Sequence, residues 1–252
     1  MGSGRKRKNM FDGMSEEEVC QLKLPDRLRA DLDILVVGIN PGMFSAYKGH
    51  HYAKPGNHFW KCLYLSGLTP RQLSASEDET LPGLGIGLTN IVERTTRSSS
   101  DLDKKEIQAG AEILVVKINK LRPKIAVFNG KQIYEVFSGK KKFNLGLQPE
   151  LVQGTNYTHI WVMPSSSGRC TTPCRAEDKV PYYVALKKFR DYLNGHLSEI
   201  DEKELVFAPL KMQKIHKNEY KESLYFKNQL NDGDDKCLDR KKETLTKKPK
   251  QK

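Results

Sequence analysis

Asp33-Ile-Leu-Val-Val-Gly-Ile-Asn-Pro-Gly42 reads as a strand that stops abruptly in a tight turn. Ile34–Ile39 is an unbroken apolar run, the pattern of a strand covered on both faces of a parallel sheet. Asn40, Pro41 and Gly42 are turn formers. Met163-Pro-Ser-Ser-Ser-Gly-Arg169 repeats the form: it closes the apolar run His159–Met163 and ends in hydroxyls and a projecting Arg169. Parallel strands bring their carboxyl ends to one edge of a sheet, where open α/β folds build their sites. The two ends can therefore meet across a cleft. One offers an amide, the other a hydroxyl-rich turn and a guanidinium, and neither offers a carboxylate, a thiol or a metal cluster.

Between and around these stretches, strands alternate with helices. Asn57–Ser66 reads as a helix capped by Asn57, with Trp60, Leu63 and Tyr64 on one face before Gly67. Gly85–Leu88 is a short strand. In Asp103–Leu121 the residues Ile107, Ala111, Leu114, Ile118 and Leu121 recur at helical spacing, and Pro123 stops the helix. Lys124–Phe128 is the next strand and Lys131–Phe137 the next helix. Glu177–Leu193 is the closing helix, with Tyr182, Leu186, Phe189 and Leu193 on one stripe. This alternation implies an α/β fold with a mainly parallel sheet and right-handed crossovers.

The 252 residues carry a net charge of +12. That excess points to a polyanion, and to nucleic acid rather than a membrane, because there is no long apolar run and no basic amphipathic helix. No signal peptide is visible at the N-terminus. The five cysteines are scattered and odd in number, as in reduced proteins. Cys170 and Cys174 form a lone C-x-x-x-C pair, read as structural or incidental rather than as a metal site. Three segments are expected: a basic arm over 1–20 carrying Arg5-Lys-Arg-Lys8, an ordered domain over 21–196, and a charged tail over 197–252 with one transient helix near Ile200–Leu205; arm and tail are both expected to be disordered.

Gly38-Ile-Asn-Pro-Gly42 lacks the lysine of a P-loop and the spacing of a dinucleotide turn. Read with Ala46-Tyr-Lys-Gly-His-His-Tyr52, Pro55-Gly-Asn-His-Phe-Trp-Lys-Cys62, Thr89-Asn90, Val92-Glu-Arg-Thr-Thr96, Ile125–Lys131 and Met163-Pro-Ser-Ser-Ser167, it closely resembles the mismatch-specific thymine/uracil DNA glycosylases of the uracil-DNA glycosylase superfamily, the eukaryotic thymine DNA glycosylases among them. The resemblance covers nearly all of residues 12–194 and neither tail. It implies a three-layer α/β/α sandwich around a short, mainly parallel sheet. It also implies an enzyme that flips uracil or thymine opposite guanine, and 5-formyl- or 5-carboxylcytosine, out of duplex DNA. Hydrolysis of the N-glycosidic bond would leave an abasic site, without metal or organic cofactor.

By resemblance, Asn40 positions the attacking water and Thr96 makes a second contact to it. Asn90 reads the edge of the pyrimidine. Ile39, His51, Tyr52 and Asn57 line the base pocket, and Ser45 faces the ring substituent. Arg169 plugs the gap left in the duplex, Gly168 and its neighbours up to Cys170 face the widowed guanine, and Asn129, Lys131, Ser165, Ser166 and Ser167 hold phosphates. The expected partners are duplex DNA with a G·U or G·T pair, an abasic-site endonuclease and SUMO. The chain is expected to be a nuclear monomer acting in base excision repair and in DNA demethylation. Two other readings stay open: a mismatch-binding chromatin module with weak catalysis, and a nucleotide-binding α/β domain.

Overall fold

A computed structural model describes residues 10–208. Arg5–Lys8 and most of the expected tail lie outside the described residues.

Six strands form one sheet in the order β2-β1-β3-β5-β4-β6. They are β1 (Ile34–Gly38), β2 (Ile86–Asn90), β3 (Ile125–Asn129), β4 (Leu145–Leu151), β5 (His159–Met163) and β6 (Val206–Phe207). The first three and β5 run parallel. β4 lies antiparallel to β5, and β6 antiparallel to β4. Chain order reverses at β1, which has β2 on one side and β3 on the other, so a crevice opens beyond its carboxyl end. The register is even there: Gly38 pairs with Asn90, and Asn129 with Met163.

Every residue of β1 and β3 is buried, as their apolar runs require. Ile34, Val36, Ile125, Val127, Trp161 and Met163 pack with α3 (Phe59–Leu65) and α6 (Val180–Leu193), through Phe59, Leu63, Tyr183, Leu186 and Phe189. On the opposite face, α4 (Lys104–Leu121) brings Lys117 to Thr89, and α5 (Lys131–Ser138) lays Tyr134 and Phe137 on Phe128. The sheet is therefore sandwiched between two helical layers. Asp103 caps α4 through the Lys105 amide at 2.9 Å, and Ile107, Ala111, Leu114 and Ile118 are its buried stripe.

Two short helices were not legible in the pattern: α1 (Glu16–Cys20), closed by a Ser15–Glu18 capping box, and α2 (Met43–Lys48). Four expectations change. Residues 10–20 are packed rather than part of a loose arm, since Phe11 and Val19 are buried with Met43 of α2. The ordered domain does not end at 196. Leu205 is buried and β6 extends the sheet, so Glu202–Leu205 is a 3-10 turn leading into a strand rather than part of a transient helix. On α3, Tyr64 is exposed, and Phe59 and Cys62 take the buried face with Trp60 and Leu63. Asn57 does bond the start of that helix, accepting from the Phe59 amide at 3.0 Å.

Candidate active site

A cleft of about 310 Å³ opens at the carboxyl ends of β1, β2, β3 and β5. Of the candidate residues, Ile39, Asn40, Ser45, His51, Tyr52, Asn57, Asn90, Thr96, Asn129, Lys131, Ser165, Ser166, Ser167 and Arg169 line it. Gly168 and Cys170 do not.

The turn after β1 fixes Asn40. Its amide nitrogen donates to the carbonyl of Arg94 at 2.9 Å, to that of Pro41 at 3.3 Å and to Thr96 Oγ1 at 2.7 Å. Carbonyls only accept, so the amide has one orientation, and its oxygen is left as an acceptor at the cleft. Thr96 Oγ1 donates in turn to the Ser98 carbonyl at 2.7 Å. Its proton is thereby taken, and toward a water it can only accept.

Asn90 crosses above Gly38, where a Cβ would stand 2.3 Å from its Oδ1 and 3.6 Å from the Tyr52 hydroxyl. The missing side chain is what lets the Asn90 amide lie in the cleft. Tyr52 has a left-handed φ of 54° and stacks on Phe59 with ring centroids 4.0 Å apart. Burial pushes its hydroxyl up to about 12, against the opposing pull of its hydrogen bond with Asn129. It is a neutral stacking surface.

His51 is buried. Its Nε2 donates to the Pro25 carbonyl at 3.0 Å, and burial holds the ring below its ordinary pKa. The ring is thus neutral, with Nδ1 as an acceptor. The whole turn from Gly49 to Tyr52 hangs on Asp78, a fully buried carboxylate from a distant 3-10 segment. Asp78 accepts from the His51 amide at 2.8 Å and Arg27 Nε at 2.9 Å, with His50 Nδ1 at 3.0 Å. Burial opposes its charge, but these three donors outweigh it and hold the carboxyl below its usual range. Ser45 is also engaged locally, its Oγ accepting from the Ala53 amide at 3.2 Å.

The loop after β5 faces this wall. Asn129 and Ser166 were expected at phosphates, but both are buried beneath the loop. Asn129 donates to Ser166 Oγ at 2.9 Å and accepts from the Ser166 amide at 3.1 Å, a reciprocal clamp joining the ends of β3 and β5. Ser165 and Ser167 are the serines that remain at the surface of the loop. Their hydroxyls accept from the amides of Ser167 and Arg169, at 3.3 and 3.2 Å. Gly168 rests on Gly56, whose carbonyl a Cβ would meet at 2.3 Å, and Arg169 projects into solvent at the cleft rim. Cys170 turns the chain back, its amide bonding the Ser167 carbonyl at 3.0 Å.

Lys54, Arg97, Lys131 and Arg169 give the cleft a cationic margin. Among the described residues, no group of three or more His, Cys, Asp or Glu side chains could hold a metal ion, and no helix is long and apolar enough to cross a membrane. The wall needs neutral amides, a hydroxyl and a stacking ring, with cations only at its margin.

The family model of the uracil DNA glycosylase superfamily matches residues 25–190. The chain belongs to this superfamily. A superfamily member described as a G/U mismatch-specific uracil DNA glycosylase, from Schizosaccharomyces pombe, is 38% identical over 156 residues. That match takes in 58% of this chain and 47% of the relative, so the chain spans about half the length of the curated relative it matches. A solution NMR structure of a Methanosarcina acetivorans protein assigned to the uracil DNA glycosylases matches 66% of this chain and 98% of its own length, at 21% identity and a TM-score of 0.45.

Two buried charged residues close to the site escaped the sequence reading. Asp78 sits in an irregular acidic stretch with no helical or strand period, and only the contacts reveal it. Lys179 looks like one more solvated lysine near the start of α6, and it is fully buried.

Proposed function

We propose that the chain is a monofunctional DNA glycosylase that flips uracil opposite guanine out of duplex DNA and hydrolyses its N-glycosidic bond. The single observation that carries this reading is the Asn40 amide, whose two nitrogen protons are engaged by the Arg94 carbonyl and Thr96 Oγ1, so that the oxygen is the acceptor this residue has left at a cleft also lined by Arg169. A carboxamide is no general base near neutral pH, but an oxygen held in place orients a water toward the sugar carbon and accepts its hydrogen bond. The base leaves as an anion while the sugar gains oxocarbenium character, and the neutral wall of Asn90, His51 and Tyr52 receives the base by edge and by stacking. Arg169 fills the vacated stack, which offsets part of the few kcal/mol that flipping costs. Ser165, Ser167 and Lys131 supply donors to phosphates.

We extend the reading to thymine, 5-formylcytosine and 5-carboxylcytosine opposite guanine, and to base excision repair, demethylation and a nuclear location favoured by Arg5–Lys8. An abasic-site endonuclease and SUMO are the partners we propose for the whole protein, acting on a monomer. The test is single-turnover excision on a G·U duplex. The wild-type chain cleaves, and Asn40→Ala slows cleavage by roughly 10²-fold or more while duplex binding persists. Tight binding by the wild type with no abasic product would favour the mismatch-binding module instead.

A further inference from the structure

Lys179 is 0% exposed, directly beneath the loop that carries Arg169. Its Nζ lies 3.1 Å from the Ser167 carbonyl and 3.1 Å from His58 Nδ1. The carbonyl can only accept, so Nζ donates there. The nearest carboxylates in sequence are engaged elsewhere: Glu177 with Lys61 at 2.6 Å, Asp178 with Arg175 at 3.4 Å. Besides His58, the titratable groups facing Nζ are the thiols of Cys62, Cys170 and Cys174. Burial therefore acts against the ammonium without a counter-ion and pulls its pKa below the ordinary lysine value. By linkage, a lysine whose folded pKa is depressed destabilises the fold at neutral pH, because the unfolded chain binds the proton more tightly. A methionine of similar reach would avoid that cost, so packing does not explain why a charge is kept here.

The same loop explains it. Ser165 and Ser167 accept from backbone amides and keep their hydroxyl protons for an outside acceptor. His58 binds the loop a second time, its amide donating to the Ser166 carbonyl at 2.9 Å. We propose that Lys179 is a positioning residue for DNA insertion: its buried ammonium aims the Ser167 carbonyl, and with it Gly168 and Arg169, and the charge finds its counter-ion only when a DNA phosphate seats on the Ser165–Ser167 turn. The proposal rests on the glycosylase reading. His58 must be neutral to accept from Nζ. Burial, then the Lys179 charge and Lys61, hold its pKa low against the opposing pull of Glu177. Protonating His58 sets two cations against each other under the loop, so insertion weakens in acid.

The experiment uses the full chain and a G·U duplex with 2-aminopurine beside the uracil, whose fluorescence reports flipping. In Lys179→Met, flipping and single-turnover excision fall by about tenfold or more, while the thermal midpoint of the free protein stays equal or rises. Lys179→Arg retains part of the excision. Wild-type flipping declines in acid, on the low side of the ordinary histidine value, and Lys179→Met loses that dependence. Unchanged excision in Lys179→Met, a loss of excision matched by a lower midpoint, or an identical acid limb would each overturn the proposal. If Lys179→Met does not fold, His58→Asn supplies an acceptor that does not titrate, and a persistent acid limb there overturns it equally. A wild-type protein that excises nothing sinks the glycosylase reading itself, which the variants alone cannot do.

Discussion

The side chain of Asn90 occupies the space a β-carbon on Gly38 would need, 2.3 Å from its Oδ1. Gly38→Ala is expected to push the Asn90 amide out of the cleft. Excision should drop by roughly 10²-fold, the scale of a misplacement of about 1 Å, with global stability little changed. Single-turnover kinetics beside a denaturant titration separate the two effects, and an unaltered rate would free Asn90 from its place in the pocket. His51 makes a second expectation at this scale. Its pKa is depressed by burial, so below the unfolded value of about 6.5 the unfolded state takes up the proton first. Stability carried by the neutral ring is present above that pH and is lost as pH falls through it. His51→Gln should flatten this part of the stability profile measured by denaturant titration between about pH 5 and 7, while an unchanged slope would contradict the assignment.

Elements are held to one another here by polar side chains as much as by the core. The Gly49–Tyr52 turn is aimed at the cleft by Asp78, which reaches it from an irregular segment and binds Arg27 at the same time. Replacing Asp78 by alanine leaves the His51 amide without its acceptor and takes from Arg27 its buried carboxylate, although Glu79 and the Gly49 carbonyl still hold the guanidinium; the expected loss is about 3 kcal/mol, the lower end for a broken buried pair. Equilibrium unfolding measures it, and a loss under 1 kcal/mol would mean that the turn is fixed by packing alone. The Asn129–Ser166 clamp is the equivalent device on the other wall, joining β3 to β5. The parallel strands and the long helices were legible because apolar runs and a period of 3.6 are local signals. β4 was not. Its residues alternate poorly, Gly146 and Pro149 interrupt it, and its register shifts against β5. Nothing local marks it as the antiparallel strand between β5 and β6.

For the whole molecule, the boundary on the C-terminal side is set by Leu205 and β6 rather than by the glycine after α6. A chain ending at Ala208 should unfold like the full chain, whereas one ending at Gly195 should lose several degrees of midpoint. Leu205→Ala alone should cost about 2–5 kcal/mol, as for other fully buried leucines. Equal midpoints for the two truncations, by differential scanning calorimetry, would return the boundary to 196. The charge of +12 is a property of the whole chain as well. Removing 1–9 and 209–252 should lower affinity for undamaged duplex and reduce its salt slope, with excision on G·U nearly kept.

The candidate residues could be named from the sequence, through turns that end apolar runs and a pattern shared along most of the domain. Which of them are buried and already engaged with one another could not. Asn129 and Ser166 have the composition of surface phosphate contacts, and Lys179 that of a solvated lysine, yet all three are buried. Chain composition and spacing determine which strands form and where their polar ends fall, because those are nearest-neighbour properties of a backbone. The direction of a carboxamide, or the counter-charge of an ammonium, depends on atoms brought from distant segments, and only the packed structure decides it.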